Sequence, residues 1–225
     1  MSKTVASKLN QILSDIHSHS INLSTREIYV HGHYGDHDEE EPGVEYRMAT
    51  TFIKNLHLLE NENNDNILVH MHTVGGEWND GMAMYNAIEF SSSYITILAH
   101  AHARSMSSII LQAADCRVLT SDADFMIHYG SGGTIDHVLN VISEAEWEKR
   151  ITKRMFDIYA TRCINGPYFK SRYKSITKDK VISFLQRKVK DHHDWWLTAE
   201  EAVYYGFADA ILGTKGYENM NKLKG

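Results

Sequence analysis

The sequence predicts an α/β fold built on a largely parallel sheet. Three observations carry this. Between residues 67 and 129, short apolar segments alternate with segments of helical period, the rhythm of βαβ units with right-handed crossovers. Two of the apolar segments run straight into small or glycine residues ahead of a helix, at HTVGGEW (72–78) and AHARSMSSI (101–109). The chain has 225 residues, of which 43% are hydrophobic, enough for one substantial core.

Taken in order, residues 1–24 read as a short helix with Val5, Leu9, Ile12 and Ile16 on one face, followed by the polar stretch HSHSINLST. EIYVHG (27–32) is a strand. An acidic run from Asp36 to Glu41, broken by His37, ends at Pro42-Gly43 and reads as a loop. Met48, Phe52, Leu56 and Leu59 give 44–61 a helical stripe. ILVHMH (67–72) is a strand, and a helix beginning near Asn79 carries Met82, Tyr85, Ala87 and Ile88. YITILAH (94–100) is a strand, MSSIILQAA (106–114) a helix, and CRVLT (116–120) and DFMIHY (124–129) are short strands. GSGG (130–133) breaks the pattern. Ser143 and Glu146 form a capping box, which predicts the start of a long helix striped by Trp147, Ile151, Met155 and Ile158. A further helix covers about 177–188. Thr198 and Glu201 form a second capping box, and Gly206 is placed to end that helix. FADAIL closes the ordered chain, and the tail GTKGYENMNKLKG is expected to fray.

Composition excludes several classes. The formal net charge is -6, which disfavours nucleic acid as a partner, because phosphate contacts need clustered Lys and Arg. Cys116 and Cys163 have no zinc-site spacing and are too few for a disulfide framework, so a reducing compartment is expected. The start, MSKTVASKLNQILSDIH, lacks the apolar core of a secretory signal. No stretch approaches the roughly 20 apolar residues of a membrane span. The expectation is a cytoplasmic protein without a membrane contact.

Three segments can carry chemistry. HTVGGEW ends a strand in paired glycines, AHARSMSSI puts Ser105 between a strand and a helix, and DFMIHYG (124–130) puts His128 at a strand end. In a parallel α/β sheet the C-terminal strand ends gather at one edge. Serine is a weak nucleophile unless a base lies within hydrogen-bond reach and a carboxylate orients that base. Each residue alone has a plainer reading: Ser105 as a helix cap, His128 as a half-buried histidine, Gly75-Gly76 as a turn.

Their joint order resembles the Clp protease proteolytic subunit. That family carries NSPGG where this chain has HTVGG, with Gly75 and Gly76. It carries GxAASMG where this chain has AHARSMS, matching Ala103, Ser105 and Met106, and MIHQP where this chain has MIHYG, matching Met126, Ile127 and His128. Its DxxxSAxEAxxYGxxD pattern corresponds to DWWLTAEEAVYYGFAD, matching Asp194, Ala199, Glu201, Ala202, Tyr205, Gly206 and Asp209. The resemblance runs from about Arg26 to Leu212. There are departures: Val74 stands for proline, Ala101 and Ser107 for glycines, and Arg104 for a small residue beside the serine. Arg104 reads either as half of a surface or intersubunit ion pair or as a ligand for an acidic group near the cleavage site.

The resemblance implies a crotonase-like α/β spiral of ββα units over residues 25–213, with a protruding handle helix near 143–162. It leaves 1–24 as a divergent N-terminal segment, unlike the family's axial loops, and 214–225 as a tail. It implies a Ser105–His128–Asp194 triad and an oxyanion hole from the N–H groups of Gly76 and Met106. Gly75, Glu77, Gly130 and Gly132 are expected along the substrate. No metal or other cofactor is implied. The implied substrate is a peptide or unfolded protein. The implied assembly is a seven-membered ring, stacked in pairs and fed by a hexameric AAA+ ATPase. The chain has no G-x-x-x-x-G-K-[ST] of its own.

Other readings stay open. A ring subunit of the same fold without catalysis is one, and a specialised protease of a virus-like assembly is another. The 14 histidines raise a third: HGHYGDH (31–37) is one residue out of step with the zinc motif H-x-H-x-D-H, and the pairs His17/His19, His70/His72 and His100/His102 could also share a face. That reading makes the protein a zinc metallohydrolase. The strand–helix rhythm after residue 66 does not suit the β-sandwich to which that motif belongs.

Overall fold

The computed structural model describes residues 3–32, 43–130, 133 and 135–224. The acidic run, and with it His33, Asp36 and His37 of the histidine motif, lies outside the described residues, as does Gly132. Helix α1 (Lys3–His19) leads into β1 (Ile21–Asn22) and β2 (Glu27–His31). Then come α2 (Tyr46–Glu62), β3 (Ile67–Thr73), α3 (Trp78–Glu89), β4 (Ile95–Arg104), α4 (Ser105–Leu111), β5 (Cys116–Leu119) and β6 (Asp124–Ile127). The long helix α5 (Val138–Cys163) is followed by α6 (Pro167–Arg172), α7 (Lys178–His192), β7 (Trp195–Leu197), α8 (Ala199–Tyr205) and β8 (Ala210–Ile211), with a terminal 3₁₀ turn at Met220–Lys224.

Among the described residues the strands form one sheet in the order β1-β2-β3-β4-β5-β8, from which β6 and β7 branch at β4. Only the β1–β2 and β6–β7 pairings are antiparallel. The branch is the feature that matters for the site. The first half of β4 pairs with β5, Thr96 through Ala99 against Cys116 through Leu119. Its second half pairs with β6, His102 through Arg104 against Asp124 through Met126. An irregularity between Met71 and Thr73 lets β3 follow the turn of β4.

One sheet face is covered by helices, and its core includes Phe52, Leu56, Ile97, Met106, Phe125, Phe156 and Tyr159. The opposite face carries every second residue of β3 and β4: Leu68, His70 and His72, then Leu98, His100 and His102. Here Leu68, Leu98, Cys116 and Val118 form a smaller apolar cluster that Leu223 completes. The tail therefore packs instead of fraying. Leu223 is only 4% exposed, and Lys224 pairs with Glu27. Both cysteines are buried free thiols.

Two buried arginines, Arg26 and Arg117, and the half-buried Arg162 close the ends of elements. Arg26 donates to the carbonyls of Leu59, Asn63 and Asp65 behind α2. Arg162 donates to those of Gln112, Ala113 and Ala114 behind α4. Arg117 clasps Asp209 through Nε at 2.9 Å and also reaches Gln112 and the Gly206 carbonyl. The Thr198–Glu201 capping box forms in both directions, and Gly206 ends α8 at φ 87°. The Ser143–Glu146 box does not start α5. The helix opens at Val138 with His137 as N-cap. The S-x-x-E pattern is equally at home inside a helix, and residues 137–150 are exposed, so no core contact fixes the start there. Val138, Leu139, Ile142 and Trp147 thus stand in solvent on an arm of the 26-residue helix. None of the described helices is long and apolar enough to cross a membrane.

His70 and His100 meet Nδ1 to Nε2 at 3.0 Å. Burial holds both imidazoles below the ordinary value of 6.5, with His100 and Lys224 adding to it at His70 and His72 at His100, while Glu27 opposes it at His70. A depressed folded-state value means that the unfolded chain binds protons first as pH falls. The stabilisation is complete above about 6.5 and is lost progressively as pH drops below it. The thermal midpoint should therefore fall between pH 7.5 and 5.5, and His100→Gln should shrink that difference. Melting curves at the two pH values check it; an undiminished difference in the variant would contradict it.

Candidate active site

Ser105 stands where β4 gives way to α4. Its φ of 49° is left-handed, a conformation that costs a non-glycine residue on the order of 1 kcal/mol and needs support from its surroundings. The support is visible. Ser107 Oγ accepts from the Arg104 N–H at 2.8 Å and donates to the Arg104 carbonyl at 2.7 Å. Ser108, fully buried, brings its Oγ within 2.6 Å of the Ser105 carbonyl and 3.1 Å of the Met126 carbonyl. Tyr159 of α5 meets the same hydroxyl at 2.6 Å, and burial pushes its phenol well above the ordinary range. The first turn of α4 is thereby stitched to β6 and to α5.

His128 follows β6 directly, and its Nε2 lies 2.7 Å from Ser105 Oγ. Its Nδ1 lies 3.5 Å from Asp194 Oδ1, an ion-pair distance longer than a formed hydrogen bond. Asp194 enters from the turn after α7, where His193 takes φ 62°, and it directly precedes β7, which pairs antiparallel with β6. The imidazole side chain is 22% exposed and the carboxylate 52%, so the outer partner is the wetter one.

The glycine pair closes on the serine. Gly75 has φ 110°, and a Cβ there would sit 2.8 Å from Ser105 Cβ and 2.9 Å from the Met106 nitrogen. The loop is pinned from the far side: Val44 N–H donates to the Gly75 carbonyl at 2.5 Å, and Glu77 N–H donates to the Val44 carbonyl at 2.9 Å. A cleft of about 470 Å³ opens over Ser105 and His128, with Gly75, Gly76, Glu77 and Met106 on one side. Gly130 borders it at φ 85°. Glu148, Ile151 and Thr152 of α5 form the opposing wall. Of the sequence-assigned site residues within the described chain, Gly75, Gly76, Glu77, Ser105, Met106, His128 and Gly130 border one cleft, whereas Asp194 lies outside its lining and reaches the site only through His128. Sequence reasoning missed Val44, Ser108 and Tyr159. The doubled serine after Met106 was the one local signal for the buried network.

Several other histidines gather elsewhere. His31, His70, His72 and His100 line a separate hollow of about 540 Å³ with Glu27, Tyr29 and Lys224. Tyr29 stacks on His70, and His72 faces His102. Among the described residues no group of three or more His, Cys, Asp or Glu is placed to hold a metal ion.

Sheet, cleft and the serine–histidine contact are those of a serine-type peptidase. Residues 41–215 match the family model described as Clp protease, and the chain belongs to that family. It is 26% identical over 192 residues to the ATP-dependent Clp protease proteolytic subunit 2 of Pseudomonas aeruginosa, covering 84% of this chain and 82% of that protein. It is 24% identical over 172 residues to the ATP-dependent Clp protease proteolytic subunit of Deinococcus radiodurans, covering 75% and 76%. A mutant of ClpP1 from Listeria monocytogenes superposes with a TM-score of 0.68 at 21% identity, covering 89% of this chain and 96% of that one.

The contact at Gly75 gives a direct test. Gly75→Ala forces a Cβ against backbone and the Ser105 side chain at a positive φ, and should destabilise the fold by about 1–3 kcal/mol. Denaturant unfolding of the variant and parent measures it, and equal stability would mean that the loop can back away.

Proposed function

We propose that this chain is an endopeptidase that cleaves unfolded polypeptides by acyl transfer, with Ser105 as nucleophile, His128 as base and Asp194 as its orienting carboxylate. The 2.7 Å contact between Ser105 Oγ and His128 Nε2 at the floor of the cleft carries the reading. His128 Nε2 takes the hydroxyl proton as Oγ bonds to the peptide carbonyl carbon, and the carbonyl electron pair moves to oxygen. The N–H groups of Gly76 and Met106 receive that oxyanion; losing one such donor typically slows turnover about 100- to 1000-fold. Collapse breaks the C–N bond, and the leaving amine takes the proton from His128. Water, deprotonated by the same nitrogen, then releases the acyl group. Asp194 stays ionised, accepts from His128 Nδ1–H and stabilises the imidazolium. Tightening of the 3.5 Å separation on substrate binding is in keeping with such sites, whose hydrogen bonds are often long when empty. Substrate backbone runs along Gly75–Glu77 and Gly130, adding a strand beside exposed backbone groups.

The same reading includes assembly. Exposed Val138, Leu139, Ile142 and Trp147 on α5 suit an intersubunit contact; the ring of seven subunits, stacked on a second ring in the cytoplasm, is carried over from the family resemblance. By the family resemblance a hexameric AAA+ ATPase would supply the unfolded chain; this sequence has no phosphate-binding P-loop, so any ATP use lies in such a partner.

Three measurements test it. Ser105→Ala should abolish cleavage of a fluorogenic peptide with the fold intact; parent-like turnover would remove Ser105 from the mechanism. Asp194→Asn should slow turnover about 10⁴-fold by favouring the wrong imidazole tautomer, whereas Asp191→Asn, an exposed position on α7, should remain near the parent rate. The reverse result would redraw the triad. Light scattering should give a multiple of the 25.7 kDa chain mass, and the monomer mass at micromolar concentration would count against the ring.

A further inference from the structure

Arg104 precedes Ser105, yet it does not line the cleft. Its Nε–H donates to Asp124 Oδ1 at 2.6 Å, and an Nη–H donates to Asp124 Oδ2, giving a bidentate pair. The guanidinium carbon lies over the Trp196 ring, 4.9 Å from its centroid. These three residues belong to three different strands. Arg104 ends β4, one residue before Ser105. Asp124 begins β6, four residues before His128. Trp196 is the middle of β7, two residues after Asp194.

The register makes the arrangement a row. Arg104 pairs with Met126 across β4 and β6, and Met126 pairs with Trp196 across β6 and β7. Arg104, Met126 and Trp196 therefore share one sheet face. The arginine crosses above Met126 to reach the indole, while its fork grips Asp124 two residues back on the same strand. A planar fork that is bidentate on one strand and stacked on another fixes both distance and orientation, which a lysine could not do. Strand pairing alone at this branch is short: β6 offers three residues to β4 and three to β7.

Resting on the triad reading above, we propose that Arg104 is a positioning residue for catalysis: one side chain clips together the three strands whose ends adjoin Ser105, His128 and Asp194. The nucleophile, base and carboxylate adjoin the ends of these strands, which are otherwise held by the Ser108 network and by pairings of three residues each; Arg104 reaches β7 directly from the end of β4. A misplacement of about 1 Å between reacting groups can lower turnover on the order of 100-fold. An acid-binding role for Arg104 is disfavoured, because its charge is already paired with Asp124 on a face that does not border the cleft.

The test reads turnover per active site, counted with a serine-directed phosphonate probe so that any misfolded fraction drops out. Arg104, Asp124 and Trp196 side chains are partly exposed, so substitution leaves the core filled. Arg104→Gln should lower kcat about 10- to 100-fold with KM within about twofold. Arg104→Lys, which keeps the charge but loses the fork, should recover only part. Trp196→Ala should also lower kcat, and Trp196→Phe should restore most of it by keeping a ring face under the cation. Parent-like kcat in Arg104→Gln, a change confined to KM, or equal losses in Trp196→Ala and Trp196→Phe would each overturn the clip. Ser105→Ala measured alongside separates the two readings. If it is inactive while Arg104→Gln is normal, the clip alone fails; if it is active, the triad reading itself fails.

Discussion

The arrangement depends on one strand having two sets of neighbours. β4 spends its backbone groups on β5 in its first half and on β6 in its second. A strand in a flat sheet would keep the same partner throughout. Because β4 changes partner, the sheet splits beyond Ala99, and the chain emerging from β6 is carried round to face the end of β4. That is why a serine and a histidine 23 residues apart in sequence reach hydrogen-bond contact. The close approach also demands an absent side chain at Gly75 and a buried hydroxyl at Ser108. Gly75 closes on the serine from the loop after β3, and Ser108 ties the first turn of α4 to the Met126 carbonyl of β6.

Much of this was legible in the sequence because it is local. The strand–helix alternation from 67 to 129, the Thr198–Glu201 cap and the left-handed Gly206 are each fixed by residues a few positions apart. The site residues were legible through four motifs in order, not through any one of them. What escaped was long-range. β7 is three residues long and exists because β6 presents an edge to it, so nothing in WWL announces a strand. The terminal turn looked like a polar tail. It packs because Leu68, Leu98 and Val118 leave an apolar strip that only becomes continuous once three strands lie side by side. The start of α5 was misread for the opposite reason: a strong local signal at Ser143 had no tertiary contact to select it.

The histidine-bearing face follows from the same alternation. A sheet covered by helices on one side needs only partial cover on the other, and residues there alternate between leucines under the tail and imidazoles beyond it. Neutral imidazoles stack and exchange hydrogen bonds at little desolvation cost, which lets the strands stay closely packed at a surface where lysines would repel. Glu27 works differently. Burial alone would raise its carboxyl, but hydrogen bonds from Lys224, Thr25 and Tyr29 outweigh burial and hold it below the ordinary range. The charge is kept where it can hold the chain end.

The left-handed backbone at Ser105 has a consequence for protein engineering. Of the twenty side chains, hydrogen alone is comfortable at that φ, so glycine there would relieve strain and raise stability by up to about 1 kcal/mol. A library sorted purely for heat resistance would enrich glycine at position 105 and discard the hydroxyl in the process. Thermal selection on this scaffold must be paired with a screen for turnover, because at this residue the two criteria pull in opposite directions.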